Sequence, residues 1–372
     1  MNDHPLALIM KSAQEQGASD IHLGSITGLQ VRIDGDIVTP DLSANPDLTN
    51  WLESIQDKKV SLLKSISSLL GICGAGDAMN RDAQEILDQI IDLDSREQPW
   101  PDKDCLMRLG SALGNWRAAI GKSDLGAISI ALRALPAVIP EINTVIPLPL
   151  KNEIGGILRK MIARKNGLIL VSGATGSGKT TLMAALINEI NVTQKKMIVT
   201  LEDPVEYWHA SKLSVLRHRQ IGLDVADYAS GLKAALRQDP DVILIGEMRD
   251  LETIELALRA AETGHLVLAT VHARDMVSTI TRLIEVFPSD QQAMIRNQLG
   301  SSLNGVISQE LRVEQNQKKR VMVPEIGLLP TGMSGGARSI IREGRYPELT
   351  GNLRVQGEKG GYYLNKPDAL KL

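Results

Sequence analysis

Four apolar residues, Leu168-Ile169-Leu170-Val171, lead into Gly173-Ala174-Thr175-Gly176-Ser177-Gly178-Lys179-Thr180, which fits the phosphate-binding pattern G-x-x-x-x-G-K-[ST]. No other stretch constrains the fold so tightly, because the pattern works only as the turn between a buried strand and the start of a helix. The glycines let backbone N–H groups turn inward around phosphate oxygens, and the helix start adds the positive end of its dipole. Lys179 is placed to reach the β and γ oxygens and the Thr180 hydroxyl to hold Mg²⁺. Thr181, in the same first turn, completes the expected nucleotide-binding set.

The surroundings agree with that turn. Ile154, Ile157, Leu158, Met161 and Ile162 recur at helical spacing before it, and a helix running to about residue 190 follows. Apolar strands are expected at 196–201, 242–245 and 266–270, separated by helical stretches such as 228–237 and 252–262. Strands that are apolar on both faces, with helices between them, imply an α/β fold with a parallel sheet.

The first part of the chain reads as an α+β unit. A short helix closes at 12–16, and strands at 20–23 and 29–33 precede the hairpin signal Asp34-Gly35. Apolar positions Ile55, Leu62, Leu63, Ile66, Leu69 and Leu70 predict a helix, and a strand pair is expected at 116–120 and 127–135. Pro136, Pro140, Pro147 and Pro149 then block both helix interiors and central strands, so 135–150 reads as an interdomain linker. The expected order is an N-terminal domain over 1–134, the linker, an ATP-binding domain over 151–330 and a C-terminal helical segment over 331–372.

Composition removes several alternatives. With 43% hydrophobic and 23% charged residues, the 372-residue chain has the make-up of a globular protein. Four Trp, five Tyr and one Phe leave few rings for stacking bases, and the net charge is −3. The densest basic cluster, Lys318, Lys319 and Arg320, is too short to track a phosphate backbone, so no nucleic-acid partner is expected. Cys73 and Cys105 are too few for a four-cysteine zinc site and are expected as thiols in a reducing compartment. Met1-Asn2-Asp3-His4 lacks the basic-then-apolar order of an export signal, and apolar runs such as 266–271 fall short of the roughly 18 residues of a membrane span. The expectation is a cytosolic protein that meets a membrane only through partners.

Carboxylates mark the rest of the candidate site. The run Val242-Ile243-Leu244-Ile245-Gly246-Glu247 puts Glu247 at the C-terminal tip of a strand, where ligands sit in open α/β sheets. A carboxylate there can orient the water that attacks a γ-phosphate. Glu202-Asp203-Pro204-Val205-Glu206 follows another strand, bringing more acid to the same edge, with Mg²⁺ and arginines as the expected relief of repulsion. His265 and His272 flank the strand expected at 266–270, and His272 falls at the site end, as a candidate sensor of nucleotide state.

In this order the phosphate loop, the acidic 202–206 element, 236–250 ending in Gly246-Glu247-Met248-Arg249-Asp250, and 260–272 ending in Thr270-Val271-His272 resemble the four motifs of the type II/type IV secretion and pilus ATPases. The likeness extends more weakly to 17–22 and 132–136. It implies an N-terminal PAS-like domain followed by a RecA-like ATPase domain, a homohexameric ring, ATP with Mg²⁺, and an inner-membrane platform protein as partner at the inner face of the cytoplasmic membrane. It also implies that Glu206 and His272 join Glu247 in the catalytic set, and that Arg133 and Arg117 approach the nucleotide phosphates from the N-terminal domain. The layout is similar to the shorter, retraction-type members, and Gly336-Ala337-Arg338-Ser339-Ile340-Ile341-Arg342-Glu343 resembles a helix motif of those members. Pilus assembly, type IVB secretion and conjugation remain alternatives, with a RecA-type DNA translocase behind them.

Overall fold

The structure, a computed structural model, describes residues 4–16, 18–24, 28–33, 36–40, 66, 68, 103–108, 115–122, 128–136, 138–146, 151–313, 320–330, 336–355 and 362–364. The chain divides into two compact units, Met1–Ala137 and Val138–Leu372.

Among the described residues the first unit sets helix α1 (Pro5–Glu15) with an antiparallel six-stranded sheet. Its strands are β1 (Ala18–Gly24), β2 (Gly28–Ile33), β3 (Asp36–Val38), β4 (Lys103–Arg108), β5 (Asn115–Lys122) and β6 (Ile128–Ala134), in the order β3-β2-β1-β6-β5-β4. Leu6, Ile9 and Met10 of α1 are buried, as are Ile21, Leu23, Trp116, Ala118, Ile120, Ile130 and Leu132 of the sheet. Because strand side chains alternate, Asp20 and His22 fall on the opposite face from Ile21 and Leu23. The turn at Asp34-Gly35 and the helix expected over 55–70, apart from residues 66 and 68, lie outside the described residues.

The second unit is built on an eight-stranded sheet. Its strands are β7 (Gly167–Ser172), β8 (Met197–Glu202), β9 (Val215–Gln220), β10 (Val242–Ile245), β11 (Leu266–Val271), β12 (Leu303–Val313), β13 (Arg320–Leu328) and β14 (Tyr362–Leu364), in the order β14-β13-β12-β7-β11-β10-β8-β9. From β12 to β9 every pair is parallel, whereas β13 and β14 add antiparallel strands at one edge. The sheet is therefore mixed rather than wholly parallel: the short reversal between β12 and β13 permits antiparallel pairing, which a parallel neighbour with its long crossover does not.

The helices are α2 (Ile142–Val145), α3 (Lys151–Ile162), α4 (Lys179–Thr193), α5 (Tyr228–Ala235), α6 (Leu251–Glu262), α7 (Met276–Glu285), α8 (Gln292–Ser302), α9 (Gly336–Glu343) and α10 (Leu349–Val355). They cover both faces of the sheet. Leu168 and Leu170 share one core with side chains of α5 to α10, while Ile169 and Val171 share the other with α2, α3 and α4. Alternation along one strand thus feeds two cores, each buried aliphatic side chain contributing roughly 1.5–3 kcal/mol.

Two boundaries expected from sequence change. Residues 142–145, inside the proline-rich 135–150, form the helical turn α2, whose Ile142 is fully buried in the second unit's core. The prolines flank this turn instead of interrupting it, so the stretch is not linker throughout. The C-terminal segment is not only helical: Tyr362–Leu364 pairs with β13, and Ala337, Ile340, Ile341, Leu349 and Leu353 complete the second unit's own core. No helix among the described residues is long and apolar enough to cross a membrane.

Candidate nucleotide site

Parallel registry brings the chemistry to one edge. Ile245 lies beside both Leu201 and Ala269, and Val271 lies beside Ser172, so the residues following β7, β8, β10 and β11 emerge together. Between β7 and α4 the loop is shaped by its glycines. Gly173, Gly176 and Gly178 have φ of +153°, +75° and +86°, a region side chains disfavour. A Cβ on Gly173 would stand 2.4 Å from both the Gln309 carbonyl oxygen and Ser177 Oγ, so only glycine fits.

Helix α4 begins at Lys179 with no side chain capping it. The N–H groups of its first turn, Lys179, Thr180 and Thr181 among them, lack helical acceptors and offer an anion site. Ser177 Oγ is buried there without a hydrogen-bond partner. Lys179 Nζ donates to the carbonyl oxygens of Gly173 and Ala174, each at 3.0 Å. Burial pushes its ammonium below the usual lysine range against the opposing pull of Glu247. An orphaned hydroxyl, uncapped N–H groups and a lysine resting on carbonyls fit a bound phosphate. Exposed Ala174, Thr175 and Gly176 form the rim of this cradle.

Glu247, at the tip of β10, sits between two cationic or protonatable groups. Its Oε2 lies 2.6 Å from Arg249 Nη2 and its Oε1 lies 3.1 Å from His272 Nε2. Burial favours the neutral acid, yet Arg249, His272 and Lys179 together hold the carboxyl below its ordinary value. The structure therefore brings Lys179, Glu247 and His272 together. His265 is at the other end of β11, where its Nδ1 lies 3.0 Å from the Ala260 carbonyl oxygen, away from this edge.

The acidic turn after β8 joins the same edge. Tyr207 Oη is 3.1 Å from Thr181 Oγ1, which ties the turn carrying half-buried Glu206 to the first turn of α4. Arg249 relieves repulsion at Glu247, as an arginine is expected to, and His218 lies beside Glu202, with Nδ1 3.7 Å from Oε1. His218 comes from β9, the adjacent parallel strand, whose polar sequence concealed it.

Arg117 and Arg133 belong to the first unit. They are direct cross-strand neighbours on β5 and β6, and Arg133 also faces Asp20 on β1. Arg133 Nε donates to Asp20 Oδ1 at 2.6 Å while its side chain remains 61% exposed.

Two further residues shape the site without a local sequence signal. Gln309, buried on β12, donates from Nε2 to the Ser177 carbonyl at 2.5 Å and so braces the phosphate loop from a neighbouring strand. Tyr228, at the start of α5, has its hydroxyl pushed well above the usual tyrosine range, first by burial and then by Asp203, Glu247 and Glu202. It is therefore a neutral donor set among carboxylates.

Residues 119–343 match the type II/IV secretion system protein family. The chain is 48% identical over 224 residues to YggR of Escherichia coli, an uncharacterized protein, covering 60% of this chain and 64% of that one. It is 32% identical over 353 residues to the type IV pilus retraction ATPase PilT of Pseudomonas aeruginosa, covering 95% and 89% of the two chains. The crystal structure of the pilus retraction motor PilT with bound ADP superposes with a TM-score of 0.71 at 34% identity, over 98% of this chain and 96% of that one. With the family match covering more than half of its length, the chain belongs to the type II/IV secretion system protein family.

Proposed function

We propose that the protein is a homohexameric motor that converts ATP hydrolysis into type IV pilus retraction or related pilus dynamics, acting on an inner-membrane platform protein from the cytoplasmic side. The convergence of Lys179, Glu247 and His272 supports hydrolysis, and the near full-length likeness to PilT supports the motor role. Nucleic acid is not a partner in this reading, and the protein inserts no segment into the bilayer.

In this reading the loop 173–180 and Thr181 bind the triphosphate, with Lys179 leaving its carbonyl contacts for the β and γ oxygens. The Thr180 hydroxyl would hold Mg²⁺, which would supply charge neutralisation during transfer. Glu247, kept ionised by its neighbours, orients the attacking water, and Glu206 assists from the β8 turn. His272 reads the occupancy of the site through Glu247. Arg133 and Arg117, from the 1–134 domain of the ring, add guanidinium charge where negative charge spreads in the transition state. Half-sites on separate units close only when ring neighbours hold them, so activity depends on assembly.

The near full-length likeness to PilT favours the retraction branch over secretion or assembly, although the helix 336–343 departs from that branch's motif at Gly336, Ala337, Ser339 and Ile340; within this helix Arg338 has a visible duty. It donates to the carbonyls of Gly300 and Ser301, capping α8, and to that of Pro330. The test is complementation of a pilus-bearing strain that lacks its retraction ATPase. Restored twitching with the wild-type chain and none with Lys179→Ala supports the reading; a wild-type chain that assembles and hydrolyses ATP yet restores no movement contradicts it.

A further inference from the structure

Glu247 and His272 are held against each other by different means. The carboxylate half is fixed through its neighbours in the chain: Thr270 Oγ1 donates to the Gly246 carbonyl oxygen, and the Met248 N–H donates to the Thr270 carbonyl oxygen at 3.1 Å. These bonds tie the chain to β11 on both sides of Glu247. His272 stands beyond Val271, the last residue of β11, at the head of the turn 272–275 that leads into α7. That turn is pinned further on, where Ser308 Oγ donates to the Arg274 carbonyl oxygen at 2.9 Å and the Met276 N–H donates to Glu325 Oε2 at 3.2 Å. At His272 itself the bond comes from Arg282, whose Nη1 donates to the carbonyl oxygen at 2.7 Å.

The place of Arg282 on α7 explains this reach. Met276, Thr279, Ile280, Leu283 and Ile284 are buried, which leaves Asp275, Ser278, Arg282 and Glu285, three or four positions apart, on the outer side of the helix. Helical side chains lean toward the N-terminus, so Arg282 extends back to the turn that precedes its own helix. These four residues, together with His272 and Gly173, line one cavity of about 660 Å³ beside the phosphate loop. Asp275 is engaged in capping α7, where its Oδ1 accepts from the Ser278 N–H. Among the described residues Arg282 forms no ion pair with a carboxylate, and its hydrogen bond goes to His272.

We propose that Arg282 is a positioning residue for hydrolysis: it holds the head of the 272–275 turn so that the imidazole of His272 meets Glu247, and it acts only through that histidine. This rests on the reading that His272 serves turnover through Glu247. A shift of about an ångström in a supporting contact can cost up to about a hundredfold in rate. An arginine that merely covers the surface of α7 would leave turnover unchanged when replaced.

The test is a double-mutant cycle on steady-state ATP hydrolysis by the full chain, with ring formation checked by light scattering. Arg282→Ala is expected to lower kcat about tenfold while KM for ATP changes less than about threefold. Arg282→Lys, which keeps a donor on a long stem, should return kcat to within about threefold of wild type. Arg282→Ala combined with His272→Ala should be no slower than His272→Ala alone, since the two act as one unit. Arg282→Met keeps the apolar stem and a good helix former but has no donor; it should match Arg282→Ala, and it carries the test if the alanine variant does not assemble. Wild-type kcat in Arg282→Ala or Arg282→Met beside a slow His272→Ala overturns the proposal while leaving the role of His272 standing. So does a double variant slowed by the product of the single effects. Wild-type kcat in His272→Ala removes the role of His272 itself and the proposal with it.

Discussion

His272 Nε2 stands 3.1 Å from Glu247 Oε1, joining the tips of the adjacent parallel strands β11 and β10. Either form of the imidazole can make this contact, as a neutral N–H donor or as an imidazolium. It couples the carboxylate proposed to orient the attacking water to the segment leading into α7. His272→Ala should leave ATP affinity within a few-fold of wild type and slow turnover roughly 10- to 100-fold, the cost of a misplaced catalytic group. Steady-state kinetics alongside nucleotide titration check this; an unchanged kcat would return His272 to a structural role.

Arg249 is expected to set the acid limit of the reaction through its contact with Glu247. Glu247 is held below its ordinary value of about 4.3, so its ionised form is favoured in the folded site. The associated stability is complete above the ordinary pKa and is lost as pH falls through the lowered one. Arg249→Ala removes the attraction that opposes burial, so the carboxyl titrates at higher pH. The acid limb of kcat/KM should move upward in the variant. A limb that stays in place or moves downward would show that Arg249 does not hold the carboxylate.

Gln309→Ala tests the brace behind the phosphate loop. Its loss strips the Ser177 carbonyl of a buried donor, at a cost of about 1–3 kcal/mol, which falls on the loop that must hold the triphosphate. Affinity for a non-hydrolysable ATP analogue should drop about tenfold, with kcat changed less. Calorimetric titration gives the first number and phosphate release the second; undiminished affinity would remove Gln309 from the site.

The legible parts of this protein were those where one local run carries the whole signal. Val242-Ile243-Leu244-Ile245 became β10 with the expected ends, and the glycines with Lys179 became the strand–loop–helix turn. The strand β9 was not legible because Arg217-His218-Arg219-Gln220 offers no apolar alternation; it lies at the sheet edge, where charge is tolerated. Gln309 reaches a loop 132 positions away in sequence, a relationship set by β12 lying beside β7. Tyr228 looked like an ordinary helix residue until three carboxylates were placed around its hydroxyl. The Asp20, Arg133 and Arg117 row likewise depends on strand register, which propensity does not specify.

The central claim is that Lys179 and Glu247 divide binding from chemistry at one site, and Glu247→Gln tests it most directly when ATP binding and phosphate release are measured on the same preparation. The account predicts affinity within a few-fold of wild type and hydrolysis slowed by about a hundredfold or more, because the amide keeps the shape but loses the charge that orients the attacking water. Phosphate release at the wild-type rate would contradict the assignment of Glu247 and, with it, the mechanism built on this edge of the sheet.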